Sequence, residues 1–115
     1  MHYQGGCHCG AVRYNVEVDL SSPITCNCSY CGKRGSVLAF TPAENFALEA
    51  GADSLTEYRF NTNTIEHLFC SVCGMESFAR GAMPDGTKMA AVNVRCLDGV
   101  DVAALSIHEV DGRSR

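Results

Sequence analysis

Eight cysteines in a chain of 115 residues, gathered into short runs, constrain this sequence more than any other feature. They come as a CxC (Cys7, Cys9), a CxCxxC (Cys26, Cys28, Cys31), a CxxC (Cys70, Cys73) and a single Cys96. Cysteines two to five positions apart can turn their sulfurs toward one ion, which is how tetrahedral zinc sites are built. The even count also allows a disulfide framework. Against it, the opening MHYQGGCHCG has neither a basic nor an apolar leader segment, and in a reducing cytoplasm clustered thiols are more often ligands or catalysts than cystines. The expectation is a cytoplasmic zinc protein. Its core, built from small aliphatics with Tyr and Phe but no Trp, would gain from metal, because binding to a site that exists only in the folded chain is folding free energy.

The length suits one domain, residues 1–115. No apolar run approaches the ~20 residues of a membrane span, so no membrane partner is expected. The formal charge is -4, and thiolate ligation of two zinc ions would carry it to roughly -7. With its basic residues scattered, such a surface has no nucleic-acid partner in prospect, and an anionic substrate would need local cations.

Alternation dominates the rest of the chain. In AVRYNVEV, Val12, Tyr14, Val16 and Val18 alternate with Arg13, Asn15 and Glu17, the period of a half-buried strand. SVLAF (36–40), FALEA (46–50), LTEYRF (55–60), TIEHLF (64–69), ESFAR (76–80) and KMAAVNVR (88–95) read as further strands. Breakers at Gly35, Pro42, 51–53, 61–63, Gly74 and 83–86 separate most of them. A short helical turn near Asp101 to Leu105 is the one helical expectation. The class is therefore mainly β, with metal-bound loops. One echo stands out, because 28–32 and 70–74 share the pattern C-S-x-C-G. A CxxC turn closed by glycine suits a zinc knuckle, since glycine accepts left-handed backbone.

Spacing permits two ways of sharing out the cysteines. Joining the two CxxC turns makes a zinc ribbon of Cys28, Cys31, Cys70 and Cys73, across a gap longer than the ~15–20 residues usual for ribbons. Joining Cys7 and Cys9 to Cys70 and Cys73 instead makes a closed four-thiolate site. Cys26, Cys28 and Cys31 are then three ligands with one position open, the mark of a catalytic zinc. Cys96 either closes that shell, making both zincs structural, or is a buried small hydrophobe.

GGCHCGAVRY, CNCSYC followed by a basic pair, FCSVCG and NVRCLDGVD occur in that order between about Gln4 and Arg113. These motifs resemble the glutathione-dependent formaldehyde-activating enzyme family, which includes the centromere protein V group. The resemblance implies a small β-tent fold of two antiparallel sheets with two zinc ions. By position it implies Cys7, Cys9, Cys70 and Cys73 as the structural set and Cys26, Cys28 and Cys31 as the catalytic set. It also implies glutathione and a small aldehyde as partners, combining to S-hydroxymethylglutathione. Members often carry Arg directly after the third cysteine of the run; here Gly32 stands there, and the cations follow as Lys33 and Arg34.

A zinc held by three thiolates carries about -1 and is a poorer Lewis acid than a three-histidine zinc, so a hydrolase is not expected. It can bind an incoming thiol as its thiolate and orient a carbonyl beside it. The reading is a zinc-dependent carbon-sulfur lyase run in the synthetic direction, with proximity and thiol ionisation as its main contributions. Lys33 and Arg34 are candidates to hold a glutathione carboxylate, with Arg80 and Arg95 as lesser ones; the alternative is solvated surface cations. His8 should point away from the metal, His67 and His108 should be packed or solvent-facing, and Tyr30 either lines the open site or caps the core. A different class of function, a non-catalytic zinc-binding module or glutathione carrier, has the same residues. Its chromatin version would go with a basic extension, which this acidic sequence does not show.

Overall fold

In the computed structural model, residues 1–59 and 65–111 are described. Phe60 and Thr64 of two expected strands, the 61–63 break between them and Arg113 lie outside these residues. Among the described residues, ten strands form two sheets. The first sheet pairs β1 (His2–Gly6), β2 (Arg13–Glu17) and β5 (Phe46–Ala50), in the order β1-β2-β5. The second adds β3 (Ile24–Cys26), β4 (Leu38–Pro42), β6 (Leu55–Tyr58), β7 (Glu66–Cys70), β8 (Phe78–Ala82), β9 (Lys88–Asn93) and β10 (His108–Val110), in the order β10-β3-β4-β9-β8-β7-β6. All pairings are antiparallel except β10 against β3. This is the mainly β, two-sheet architecture that alternation and family resemblance led us to expect.

The alternating residues form the core between the sheets. Val12, Tyr14, Val16 and Val18 are all buried and meet Phe78, Val92 and Val94 of the larger sheet's side. Tyr14, Phe46 and Phe78 pack as a trio, with ring centroids 4.8, 5.6 and 4.6 Å apart. Burying side chains of this size contributes roughly 1.5–3 kcal/mol each. The Tyr14 hydroxyl donates to the Ser77 carbonyl at 2.9 Å, so its one polar atom is satisfied across the sheets.

Three strands lack a period-2 signal and were not expected. HYQGG of β1 buries two glycines rather than alternating side chains, and β3 and β10 are three residues each, too short to show a pattern. A single helical turn, α1 (Cys31–Arg34), also forms where none was expected. The expected turn near Asp101 appears as a 3-10 turn at Val102–Ala104, capped by the Asp101 carboxylate accepting from the Ala103 amide. No helix among the described residues is long and apolar enough to cross a membrane.

Candidate metal centre

The first cysteine cluster sits where the two sheets come together. After β1 the chain turns back through residues 7–12, closed by the Cys7 amide donating to the Val12 carbonyl at 3.1 Å. A Cβ at Gly6 would lie 2.1 Å from that carbonyl oxygen, so only glycine permits the turn. At the end of β7 the second knuckle closes with the Gly74 amide on the Cys70 carbonyl at 2.8 Å, and Gly74 is left-handed at φ 80°. The turns bring Cys7, Cys9, Cys70 and Cys73 together with all sulfurs within 4.8 Å of one another. Cys7 to Cys9 and Cys9 to Cys70 are both 3.6 Å. Sulfurs at tetrahedral corners about 2.3 Å from a zinc ion lie about 3.8 Å apart, so this donor set fits the ion. All eight cysteines are free thiols, which removes the disulfide framework.

Backbone amides support thiolate at this cluster. Val12 donates to the Cys7 sulfur at 3.3 Å and Val72 to Cys70 at 3.4 Å. The amides of Cys9 and Met75 hold Cys73 down to about 6. The Ala11 amide acts on Cys9 in the same sense, but burial and the three neighbouring sulfurs outweigh it and push that thiol up to about 11. Thiols this close resist ionising together unless a cation is among them.

The second cluster is local. Cys26 ends β3, Cys28 opens the turn, and Cys31 begins α1; their sulfurs also lie within 4.8 Å of one another. The Cys31 amide donates to the Cys28 sulfur at 3.3 Å. Burial raises Cys28, yet amide and thiol donors bring it below its ordinary value, while burial and then Cys28 push Cys31 up to about 12. The echo of the two knuckles is half kept. Gly32 donates to the Cys28 carbonyl at 2.8 Å just as Gly74 does to Cys70. The left-handed residue, however, is Gly35, because the Lys33 and Arg34 amides turn onto the Tyr30 carbonyl and carry the chain through α1 first.

The structure gathers seven of the eight cysteines into these two groups. The ribbon of Cys28, Cys31, Cys70 and Cys73 does not form, and among the described residues no fourth His, Cys, Asp or Glu joins Cys26, Cys28 and Cys31. Cys96 belongs to neither group. Burial pushes its thiol up to about 11, and the cysteines whose charge it feels are Cys7 and Cys73 of the other cluster.

Beside the three cysteines opens a cavity of about 310 Å³, lined on its polar side by Tyr30, Arg34, Ser36, His67 and Glu76. Glu76, only 5% exposed, is the residue that sequence reasoning missed. It accepts the Tyr30 hydroxyl hydrogen, and Nδ1 of His67 lies 3.2 Å from its other oxygen. Arg34 donates from Nε to the Tyr30 hydroxyl at 3.0 Å and from Nη1 to the Gly74 carbonyl at 3.2 Å, and stands 3.7 Å from Glu76. Burial and then Glu76 push the Tyr30 phenol up to about 12, which keeps its proton in place. Nothing local in ESFAR marks Glu76 as different from a strand's solvent-side acid; only its long-range partners do.

The family model of the glutathione-dependent formaldehyde-activating enzyme matches residues 2–109. The chain belongs to that family. A Rhodobacter sphaeroides protein of known crystal structure is similar to it at 32% identity and a TM-score of 0.83, covering 93% of this chain and 99% of that one. Family membership points to glutathione- and formaldehyde-related chemistry, and both cysteine clusters fit metal. Of the remaining candidates, Arg34 reaches the cavity, whereas Lys33 lines a neighbouring depression with Ser29, Tyr30 and Tyr58. His8 is exposed and outside the first cluster, as are His108 and Arg95. Arg80 stacks over Phe46 and Phe78, with centroids 5.9 and 5.4 Å away. Tyr30 lines the cavity instead of capping the core, and His67 lines it too.

Proposed function

We propose that this protein is a carbon-sulfur lyase acting in the synthetic direction, joining a glutathione-type thiol to a small aldehyde at Cys26, Cys28 and Cys31. The observation that carries this reading is a trio of converging sulfurs, without a fourth ligand among the described residues, at the wall of a 310 Å³ cavity. In the same reading Cys7, Cys9, Cys70 and Cys73 would hold a structural zinc, and Cys26, Cys28 and Cys31 would hold a second, catalytic one. When bound there, zinc supplies positive charge that favours a thiolate over a thiol and polarises a carbonyl. A reducing, cytoplasmic setting suits eight free thiols.

The protein's own groups position the reactants. Arg34 is held by Tyr30 and Gly74, so its guanidinium is a pre-oriented donor for one substrate carboxylate, and Lys33 at the neighbouring depression suits a second. Glu76 fixes Tyr30 and His67, keeping two polar side chains aimed at one wall of the cavity. In the reaction the thiol S–H bond breaks and a sulfur–carbon bond forms. The carbonyl π pair passes to oxygen, which takes up the proton. Bringing the two reactants together and ionising the thiol is most of what such an addition requires.

Two-dimensional exchange NMR of the formaldehyde–glutathione adduct with its free components tests this. At matched zinc content, wild type should accelerate exchange and Cys28→Ser should not. Acceleration that survives in Cys28→Ser would remove the reaction from the trio. Glutathione bound without acceleration would make the protein a carrier.

A further inference from the structure

Along the seven-stranded sheet the face turned to the cavity is unusually small-sided. Directly paired residues run across four strands as Phe40, Ala91, Ala79 and His67, and the next row pairs Met89 with Gly81. Strand interiors favour β-branched and aromatic side chains that fill the pleated surface; two alanines and a glycine leave a recess instead. The opposite face of the same strands, with Phe78 and Val92, is packed into the core. Phe40, Ile65 and Met83, each about half exposed at 49–50%, stand along the recess.

The recess continues the site. Its volume is about 340 Å³, and it shares Phe40, Ile65, Ala79 and Ala91 with the cavity that contains the three cysteines. Its walls are almost wholly apolar, whereas the polar groups cluster at the cysteine end. A one-carbon aldehyde, little larger than the roughly 30 Å³ of a water molecule, would not reach it. A glutathione-type thiol would have to strip water from its amides and carboxylates to lie there. The fitting occupant is hydrocarbon attached to the reacting centre.

Resting on the reading above, we propose that the carbonyl partner is an aldehyde with an apolar chain or ring, lying in the recess over Ala79 and Ala91. Its reaction is the same balanced addition, with the S–H proton ending on the former carbonyl oxygen. Formaldehyde is then a substrate that leaves most of the binding surface unused.

The test uses the zinc-loaded full chain and two stable thioethers, S-methylglutathione and S-hexylglutathione, titrated by calorimetry. Wild type should bind the hexyl ligand at least about tenfold more tightly, as burial of several methylenes requires. Gly81→Val and Met83→Asp, at positions that line the recess and not the cysteine cavity, should each erase that preference while leaving the affinity for the methyl ligand within about twofold, which also reports that the variants are folded. Equal affinities in wild type, or a hexyl preference that persists in both variants, would overturn the inference. Formaldehyde exchange accelerated without any hexyl preference leaves the lyase standing and removes the apolar partner. Should neither thioether bind, hexan-1-ol is the deciding probe. If it shifts the Ala79 and Ala91 methyl resonances, the apolar partner stands without glutathione; if it does not, the inference fails.

Discussion

The two cysteine clusters use the same ligand chemistry in opposite settings. The first draws Cys7 from the turn after β1 and Cys70 from the end of β7, one from each sheet, and buries both. Its sulfurs are 61 residues apart in sequence where Cys9 meets Cys70. The second takes all its sulfurs from six consecutive positions, Cys26 to Cys31, each half-buried at a cavity wall. A site that bridges two sheets contributes to folding, because its closure removes chain entropy that nothing local could remove. A site made within one short run, anchored only at the end of β3, ties no second sheet to the first. Location, more than ligand type, separates the two clusters.

That contrast can be broken most directly at Cys70. Cys70→Ser removes a buried ligand from the bridging cluster and should cost more than about 5 kcal/mol, enough to leave the chain unfolded at 25 °C. Lost near-UV dichroism and collapsed NMR dispersion would report it; a wild-type melting curve would abolish the distinction. Cys28→Ser should release one zinc by elemental analysis yet lower the melting temperature by only about 5 °C. Equal destabilisation by both variants would mean that the trio also staples the fold. Within the cavity, Arg34→Ala should raise the Michaelis constant for the thiol about tenfold, and Lys33→Ala by about twofold or less. The smallest effect belongs to Cys96→Ala, which should retain both metal ions and cost about 1 kcal/mol. Loss of a zinc from that variant would return Cys96 to the ligands.

Much of this was legible before any coordinates. Period-2 alternation placed Val12, Tyr14, Val16 and Val18 in the core, where all are buried. FALEA is β5 residue for residue. Gly74 takes the left-handed conformation its knuckle called for. Local signals failed where partners are remote. β3 and β10 are recognisable only when paired with each other, and the glycines of β1 carry no alternation. Glu76 looks like an ordinary strand acid until Tyr30 and His67, 46 and 9 residues away, are brought to its two oxygens.

The sequence by itself determined the short-range facts: which cysteines stand close enough to share an ion, where strands break, and which family the motifs resemble. Those depend on the reach of a few residues of backbone. The tertiary structure decided which runs meet across the sheets, that Cys96 stays outside both clusters, and that two alanines and a glycine align into an apolar recess beside the cysteines. Strand register sets such alignments, and register is a property of the paired sheet that no single strand contains.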